Sequence, residues 1–105
     1  MITNIHLIIH CRRLIMIDVQ YSANVSIHQL SDDAFLLRVN DAKVYQYLLK
    51  QCGKEFGWER SIQKSQSFFN GDIEYQINLS HIPLENFGRD FFMLEPELLD
   101  NIAKS

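Results

Sequence analysis

Residues 67–79 have the sequence SFFNGDIEYQINL, and this stretch predicts a β-hairpin. Asn70-Gly71 favours positive φ at both central positions of a type I′ turn, whose twist matches that of two paired strands. After the turn, polar and apolar side chains alternate strictly, which is typical of a strand with one buried and one solvated face. The apolar set consists of Ile73, Tyr75, Ile77 and Leu79.

The two-residue turn also predicts the register of the hairpin. It places Phe68 opposite Ile73 and Lys64 opposite Ile77. Because residues 61–69 are less apolar than the partner strand, we expect them to lie at an edge of the sheet.

Upstream of the hairpin, the apolar run AFLLRV at residues 34–39 predicts a central strand. Asn40 or Asp41 then offers an N-cap, and an amphipathic helix is predicted over residues 41–52, ended by Gly53 in the C′ position. The apolar stripe of this helix consists of Val44, Tyr45, Leu48, Leu49 and Cys52. On that stripe, Cys52 is expected to be a buried and unreactive thiol.

Downstream of the hairpin, residues 82–87 predict a short connection of about one helical turn. Gly88 is expected to break it, and residues 90–94 (DFFML) predict a strand. Pro96 suits the first position of a final helix. The apolar stripe of that helix consists of Leu98, Leu99 and Ile102.

The N-terminal third is rich in β-branched residues without a helical period. This composition predicts strands near residues 3–10 and 13–21 and a short strand at residues 25–28. A second interpretation stays open, in which Met16 begins the folded module and residues 1–15 are an appendage.

From residue 34 onward, the predicted order is strand, helix, strand, strand, short helix, strand and terminal helix. This order is the split βαβ, ferredoxin-like pattern. We therefore expect a single α+β domain over residues 1–105. It comprises a ferredoxin-like antiparallel sheet with a C-terminal helix over residues 34–105 and a β-rich N-terminal arm over residues 1–33. Helices on one face of such a sheet would leave the other face uncovered.

The composition limits the class of protein. Apolar residues make up 47% and charged residues 22% of the chain, which is typical of a globular domain. The net charge is −3, so direct nucleic-acid binding is not expected. Two cysteines form no disulfide framework. The apolar run Met1–His10 lacks the features of a secretory signal and is too short to span a bilayer, so we expect a cytoplasmic location.

The motifs of common enzyme classes are absent from the sequence: it contains no P-loop, dinucleotide-binding turn, HExxH or GxSxG pattern. His6 and His10 with Cys11 are candidate metal ligands, but β-branched surroundings predict a strand that separates the two histidines. His28 and His81 are isolated in sequence. We therefore expect a protein that is not an enzyme and that uses no metal and no cofactor.

Two segments resemble a known bacterial module. Ser61–Gln66 with the hairpin that follows, and residues 87–99 (FGRDFFMLEPELL), look like the C-terminal extension of WYL-domain transcriptional regulators. In that family, a Phe-Gly or similar pair precedes a strand, and a Leu-Glu-Pro-like turn leads into the last helix. A full helix normally precedes the pair, whereas here only residues 82–86 do. The resemblance covers residues 34–105 and implies a ferredoxin-like fold and a regulatory or interaction module that contacts a ligand or a partner chain.

The sequence thus supports two hypotheses about function. The first is a non-enzymatic regulatory module that binds a protein partner or associates with itself. The alternative is a small acidic immunity protein or antitoxin that neutralises a toxin, such as a nuclease, by direct binding. Residues 85–105 are net acidic, although acids here also suit the first turn of a helix. The candidate partner-binding residues are Trp58, Asp90, Glu95, Glu97 and Asp100.

Overall fold

The computed structural model describes residues 16–105. These residues form an α+β fold in which a five-stranded antiparallel sheet carries three α-helices. The strands are β1 (Asp18–Gln20), β2 (Val25–Ser31), β3 (Ala34–Val39), β4 (Ile62–Phe69) and β5 (Asp72–Leu79). The helices are α1 (Ala42–Lys50), α2 (Leu84–Phe91) and α3 (Pro96–Lys104).

The strand order across the sheet is β1-β2-β3-β5-β4. Strands β3 and β4 both pair antiparallel with β5 and are therefore parallel to each other, with α1 as the crossover between them. This arrangement is a split βαβ unit. It puts β4 at an edge of the sheet, so the predicted edge position of residues 61–69 is confirmed.

The hairpin between β4 and β5 is confirmed in turn type and register. Asn70 and Gly71 both have positive φ, at 53° and 85°. Phe68 lies opposite Ile73, and Ile77 lies opposite Lys64, as the two-residue turn predicted. The local turn chemistry was therefore sufficient to set which side chains share a face of the sheet.

The ferredoxin-like strand order is not confirmed, and the strand predicted for residues 90–94 is wrong. These residues lie in the last turn of α2 and in the loop after it. Gly88 does not break the helix, and a Cβ added there would lie 3.6 Å from the Phe92 ring, an ordinary contact. Phe87 and Phe91, four residues apart, share the buried face of α2. The outer side of β3 is instead occupied by β2.

The strand predicted at residues 25–28 is confirmed and extends to Ser31 as β2. The three residues of β1 lie within the strand predicted for residues 13–21, whereas the strand predicted for residues 3–10 lies outside the described residues. The expected boundary after residue 33 falls in the turn between β2 and β3, which pair with each other. Val25 and Ile27 of β2 are fully buried with the residues of β3, so both sides of this boundary share one core.

Helix α1 begins as predicted but does not end as predicted. The Asp41 carboxylate accepts a hydrogen bond from the Val44 backbone N–H at 3.0 Å, which caps the first turn. After Lys50 the chain continues as a π-helical turn over Gln51–Glu55, so Gly53 lies inside the helical segment. The positive φ that ends such a segment occurs at Gly57, at 78°.

Aromatic rings join the helices to the sheet. Phe87 of α2 stacks on Phe35 of β3 with ring centroids 4.0 Å apart and on Phe91 at 5.0 Å. In α3, Pro96 occupies the first turn as predicted, and Leu99 is fully buried. All three helices therefore cover the same face of the sheet, and within residues 16–105 no element covers the opposite face, here called the open face.

Candidate functional site

The open face of the sheet carries a hydrogen-bonded polar network. Arg38 donates two hydrogen bonds to the Glu74 carboxylate, at 2.7 and 3.0 Å. Gln76 donates to the same carboxylate at 2.9 Å and accepts from the Ser65 hydroxyl at 3.1 Å. The hydrogen bonding from Arg38 to Glu74 lowers the pKa of Glu74 and raises the pKa of Arg38. These polar groups are partly exposed, and they satisfy one another's hydrogen bonds.

The side chains considered for catalysis or metal binding are dispersed. His28 Nδ1 lies 2.7 Å from the Asp18 carboxylate on neighbouring strands, whereas His81 lies in a loop, 3.9 Å from Asp33. Burial raises the pKa of the Cys52 thiol to about 12, so the predicted buried cysteine is confirmed. Within residues 16–105, no group of three His, Cys, Asp or Glu side chains could hold a metal ion. Three candidates lie outside the described residues: His6, His10 and Cys11.

Strand β4 presents an unpaired backbone edge. Its eight residues pair with β5 on one side, and no strand of the described chain pairs on the other. Just before β4, Ser61 C=O accepts a hydrogen bond from Ser80 N–H at 3.0 Å, so the odd-numbered residues face β5. The backbone N–H and C=O groups of Lys64, Gln66 and Phe68 therefore point away from the sheet, free to pair with another chain.

The tip of this hairpin extends beyond the helices and exposes apolar side chains. Phe68 is 74% exposed, and Ile73, opposite to it, is 38% exposed. Two residues after Ile73 along β5, the Tyr75 ring stacks on that of Tyr45 in α1 at 4.6 Å. An exposed phenylalanine next to an unpaired strand edge is a feature of protein-binding surfaces.

A groove lies between β4 and the C-terminal half of α1. Leu49 and Ile62 are half-buried along it and pack against the core. Gly53 also lines it, and the absence of a side chain there keeps the groove open toward Ile62. Four charged side chains also line the groove, namely Lys50, Lys54, Lys64 and Glu59. We call it the lysine groove.

Among residues 16–105, no acid forms an ion pair with the three lysines of the groove. The ion pairs of residues 16–105 join Arg38 to Glu74, Arg89 to Asp90 and two histidines to aspartates, and none includes a lysine. Three positive charges with one carboxylate among them give the lysine groove a positive potential in a chain whose net charge is −3.

Trp58, which the sequence made a candidate for binding a partner, lies in the core. It is 8% exposed, and its ring lies 4.8 Å from that of Phe56 and 5.9 Å from that of Phe87. The Trp58 backbone N–H donates to Cys52 C=O at 2.9 Å, so the chain turns after the π-helical segment and the ring packs against these aromatic neighbours.

The four acidic residues predicted to bind a partner do not have equivalent surroundings. Asp100 accepts a hydrogen bond from the Ala23 backbone N–H at 2.9 Å and so ties α3 to the turn between β1 and β2. Asp90 lies 3.4 Å from Arg89. Glu95 and Glu97 are exposed at the start of α3, where the helix dipole favours negative charge. Structural contacts thus account for Asp100, and helix position accounts for the two glutamates.

Comparisons of the chain with protein-family models, with curated proteins and with solved structures gave no match in any of the three. Among residues 16–105, no helix has the length and apolar character needed to cross a membrane.

The lysine groove was not predicted from the sequence. Lys50 and Lys54 are four residues apart, but the helix was predicted to end at Gly53, before Lys54. A helical segment that continues past Gly53, as the structure shows, places both lysines on one side of it. Lys64 joins them because the crossover from α1 returns to an edge strand. A helix ending in spaced lysines next to a predicted edge strand is thus the sequence signal for this site.

Proposed function

We propose that the chain is a non-enzymatic interaction module that binds a protein chain along the free edge of β4. The resemblance to the C-terminal extension of WYL-domain regulators implies a regulatory role, and binding at the β4 edge is compatible with that role. The observation that carries it is the unpaired edge of an eight-residue strand within the described part of the chain. Strand addition to such an edge supplies main-chain hydrogen bonds, and neighbouring side chains supply specificity.

The other edge of the sheet supports the choice of β4. Strand β1 has three residues, so few backbone groups are available there. Strand β4 offers the outward backbone groups of Lys64, Gln66 and Phe68, and Phe68 adds exposed apolar surface. The long edge therefore combines main-chain and apolar contacts.

Proline at position 66 tests this proposal. Because the Gln66 N–H points away from β5, Gln66→Pro removes one outward donor without breaking the β4–β5 ladder. Gln66→Thr is the matched control, since it changes the same side chain and keeps the N–H. Circular dichroism and thermal melting establish that both variants fold.

Light scattering after size exclusion measures self-association, and capture on the immobilised protein measures binding of partner proteins. We expect the wild type and Gln66→Thr to capture the same partner or to self-associate equally, and Gln66→Pro to lose that interaction. A strictly monomeric wild type that captures the same proteins as Gln66→Pro would contradict binding at this edge.

A further inference from the structure

We propose that the chain segment bound at β4 is an extended acidic peptide, whose carboxylates contact the lysine groove. The inference rests on the proposed binding at the β4 edge and adds the chemical class of the ligand. The inference is based on the position of the unpaired β4 edge, which lies beside Lys50, Lys54 and Lys64.

The side-chain faces of β4 connect the two features. Lys64 lies opposite the buried Ile77, so its side chain starts on the helix-bearing face of the sheet. A peptide added to this edge would place every second side chain on that same face, beside the lysine groove. Its remaining side chains would continue the open face, which is polar and solvated.

The spacing of the charges fits an extended peptide. Side chains two residues apart on a strand are separated by about 6.8 Å. Lys50 ends α1 and Lys54 lies in the π-helical turn that follows, so the two lysines are separated by about one helical turn, which is of the same order as this spacing. Successive carboxylates on one face of the peptide can therefore meet successive lysines, and the apolar floor at Leu49 and Ile62 accommodates their methylene groups.

The same charges argue against a second copy of the chain as the occupant. Residues 62–69 contain one charged residue, Lys64, and no acid. Pairing β4 with its own copy would bring two lysines toward each other without a carboxylate between them. Lysine on an edge strand is a common protection against this kind of self-pairing.

The groove also fits a peptide better than a nucleic acid. Its floor is apolar, and the sheet edge beside it offers backbone donors and acceptors arranged for another strand. The whole chain is acidic, with a net charge of −3, which opposes a polyanionic duplex or single strand. An acidic peptide carries a few charges at the strand spacing and avoids most of this repulsion.

Fluorescence anisotropy with synthetic probes tests the proposal on the full chain. The probes are labelled ten-residue peptides of alternating Glu and Val, of alternating Ser and Val, and of alternating Lys and Val, with a single-stranded oligonucleotide as the fourth. We expect the Glu-Val peptide to bind at least about tenfold more tightly than the other peptides. Raising the salt from about 0.05 to 0.5 M should weaken that binding severalfold, because exposed charges are screened.

Charge-reversal variants locate the contact. Combining Lys50→Glu, Lys54→Glu and Lys64→Glu should weaken Glu-Val binding at least about tenfold, since each exposed ion pair contributes modestly. Lys104→Glu is the matched control, because it reverses a lysine that does not line the groove. Both proteins are first compared by thermal melting to show that they fold.

The outcomes separate this inference from the proposed edge binding. If Gln66→Pro abolishes peptide binding while the lysine reversals leave it unchanged, the edge binds a strand but the preference for acids is wrong. If the oligonucleotide binds more tightly than any peptide, the assignment to a peptide is overturned. Loss of Glu-Val binding in both Gln66→Pro and the lysine variant, with retention in Gln66→Thr and Lys104→Glu, supports the proposal.

Discussion

Replacing Phe91 with alanine tests the placement of residues 84–94 as a helix followed by a loop. The Phe91 side chain is fully buried, and its ring lies 5.0 Å from that of Phe87 and 5.4 Å from that of Tyr21. Phenylalanine-to-alanine changes in packed cores cost about 3–5 kcal/mol, and lost aromatic pairs favour the upper half of that range. We expect a loss of about 4 kcal/mol, a large share of the roughly 5–15 kcal/mol available to a domain.

Met93 supplies the control that distinguishes a helix from a strand. In a strand over residues 90–94, Phe91 and Met93 would share a face and be buried alike. In the structure, Met93 is 78% exposed, so Met93→Ala should change the stability by less than about 0.5 kcal/mol.

Urea denaturation followed by circular dichroism measures both losses. With an m-value of about 1.5 kcal/mol/M, the Phe91→Ala midpoint should fall by roughly 2.5 M while that of Met93→Ala stays close to the wild type. Similar midpoints for the two variants would refute the helical placement and favour the strand that the sequence suggested.

Three further changes have defined outcomes. Removing Arg38 with Arg38→Gln should cost a few tenths of a kcal/mol at pH 7, because the pair with Glu74 is partly exposed. Arg38 lowers the pKa of Glu74 in the folded protein, so the ion pair stabilises the fold fully above the ordinary glutamate pKa of 4.5. This stabilisation is lost as the pH falls from 4.5 through the lowered pKa of folded Glu74. Urea titrations at a series of pH values measure the loss. In a Cys11→Ser variant, Cys52 is the one remaining thiol, and it should react with a thiol reagent at pH 8 only after denaturation. The reason is that burial raises the pKa of Cys52 to about 12. Rapid labelling of the folded protein would contradict this burial. Gly53→Ala should raise the melting temperature, with a gain in stability of about 0.5–1 kcal/mol, because residue 53 is helical. An added Cβ would lie 3.5 Å from Glu59 and 3.8 Å from Ile62, which are ordinary contact distances. A lower melting temperature would show that the helical backbone there is strained.

The parts of the fold that the sequence predicted are those fixed by local chemistry. The Asn70-Gly71 turn and the alternation after it determine the hairpin and its register, and Asp41 determines the start of α1. The position of β4 at an edge of the sheet follows from the polar character of residues 61–69, whereas the strand order was not predicted, because β2 lies beside β3.

The errors occur where packing rather than local chemistry decides. The run Phe91-Phe92-Met93-Leu94 has no clear period, so helix and strand cannot be distinguished from it alone. Stacking of Phe87 on Phe35 selects the helix, with Gly88 inside it. Packing against Phe56 and Phe87 likewise places Trp58 in the core, although the sequence made it a candidate for binding a partner.

Amide hydrogen exchange at β4, measured residue by residue by NMR, tests the central claim most directly. In the free protein, the outward N–H groups of Lys64 and Gln66 should exchange rapidly, whereas those of Ser65 and Ser67, which face β5, should be protected. Saturation with the alternating Glu-Val peptide should slow exchange at Lys64 and Gln66 by at least about tenfold. Peptide binding that leaves exchange at both positions unchanged would contradict strand addition at this edge.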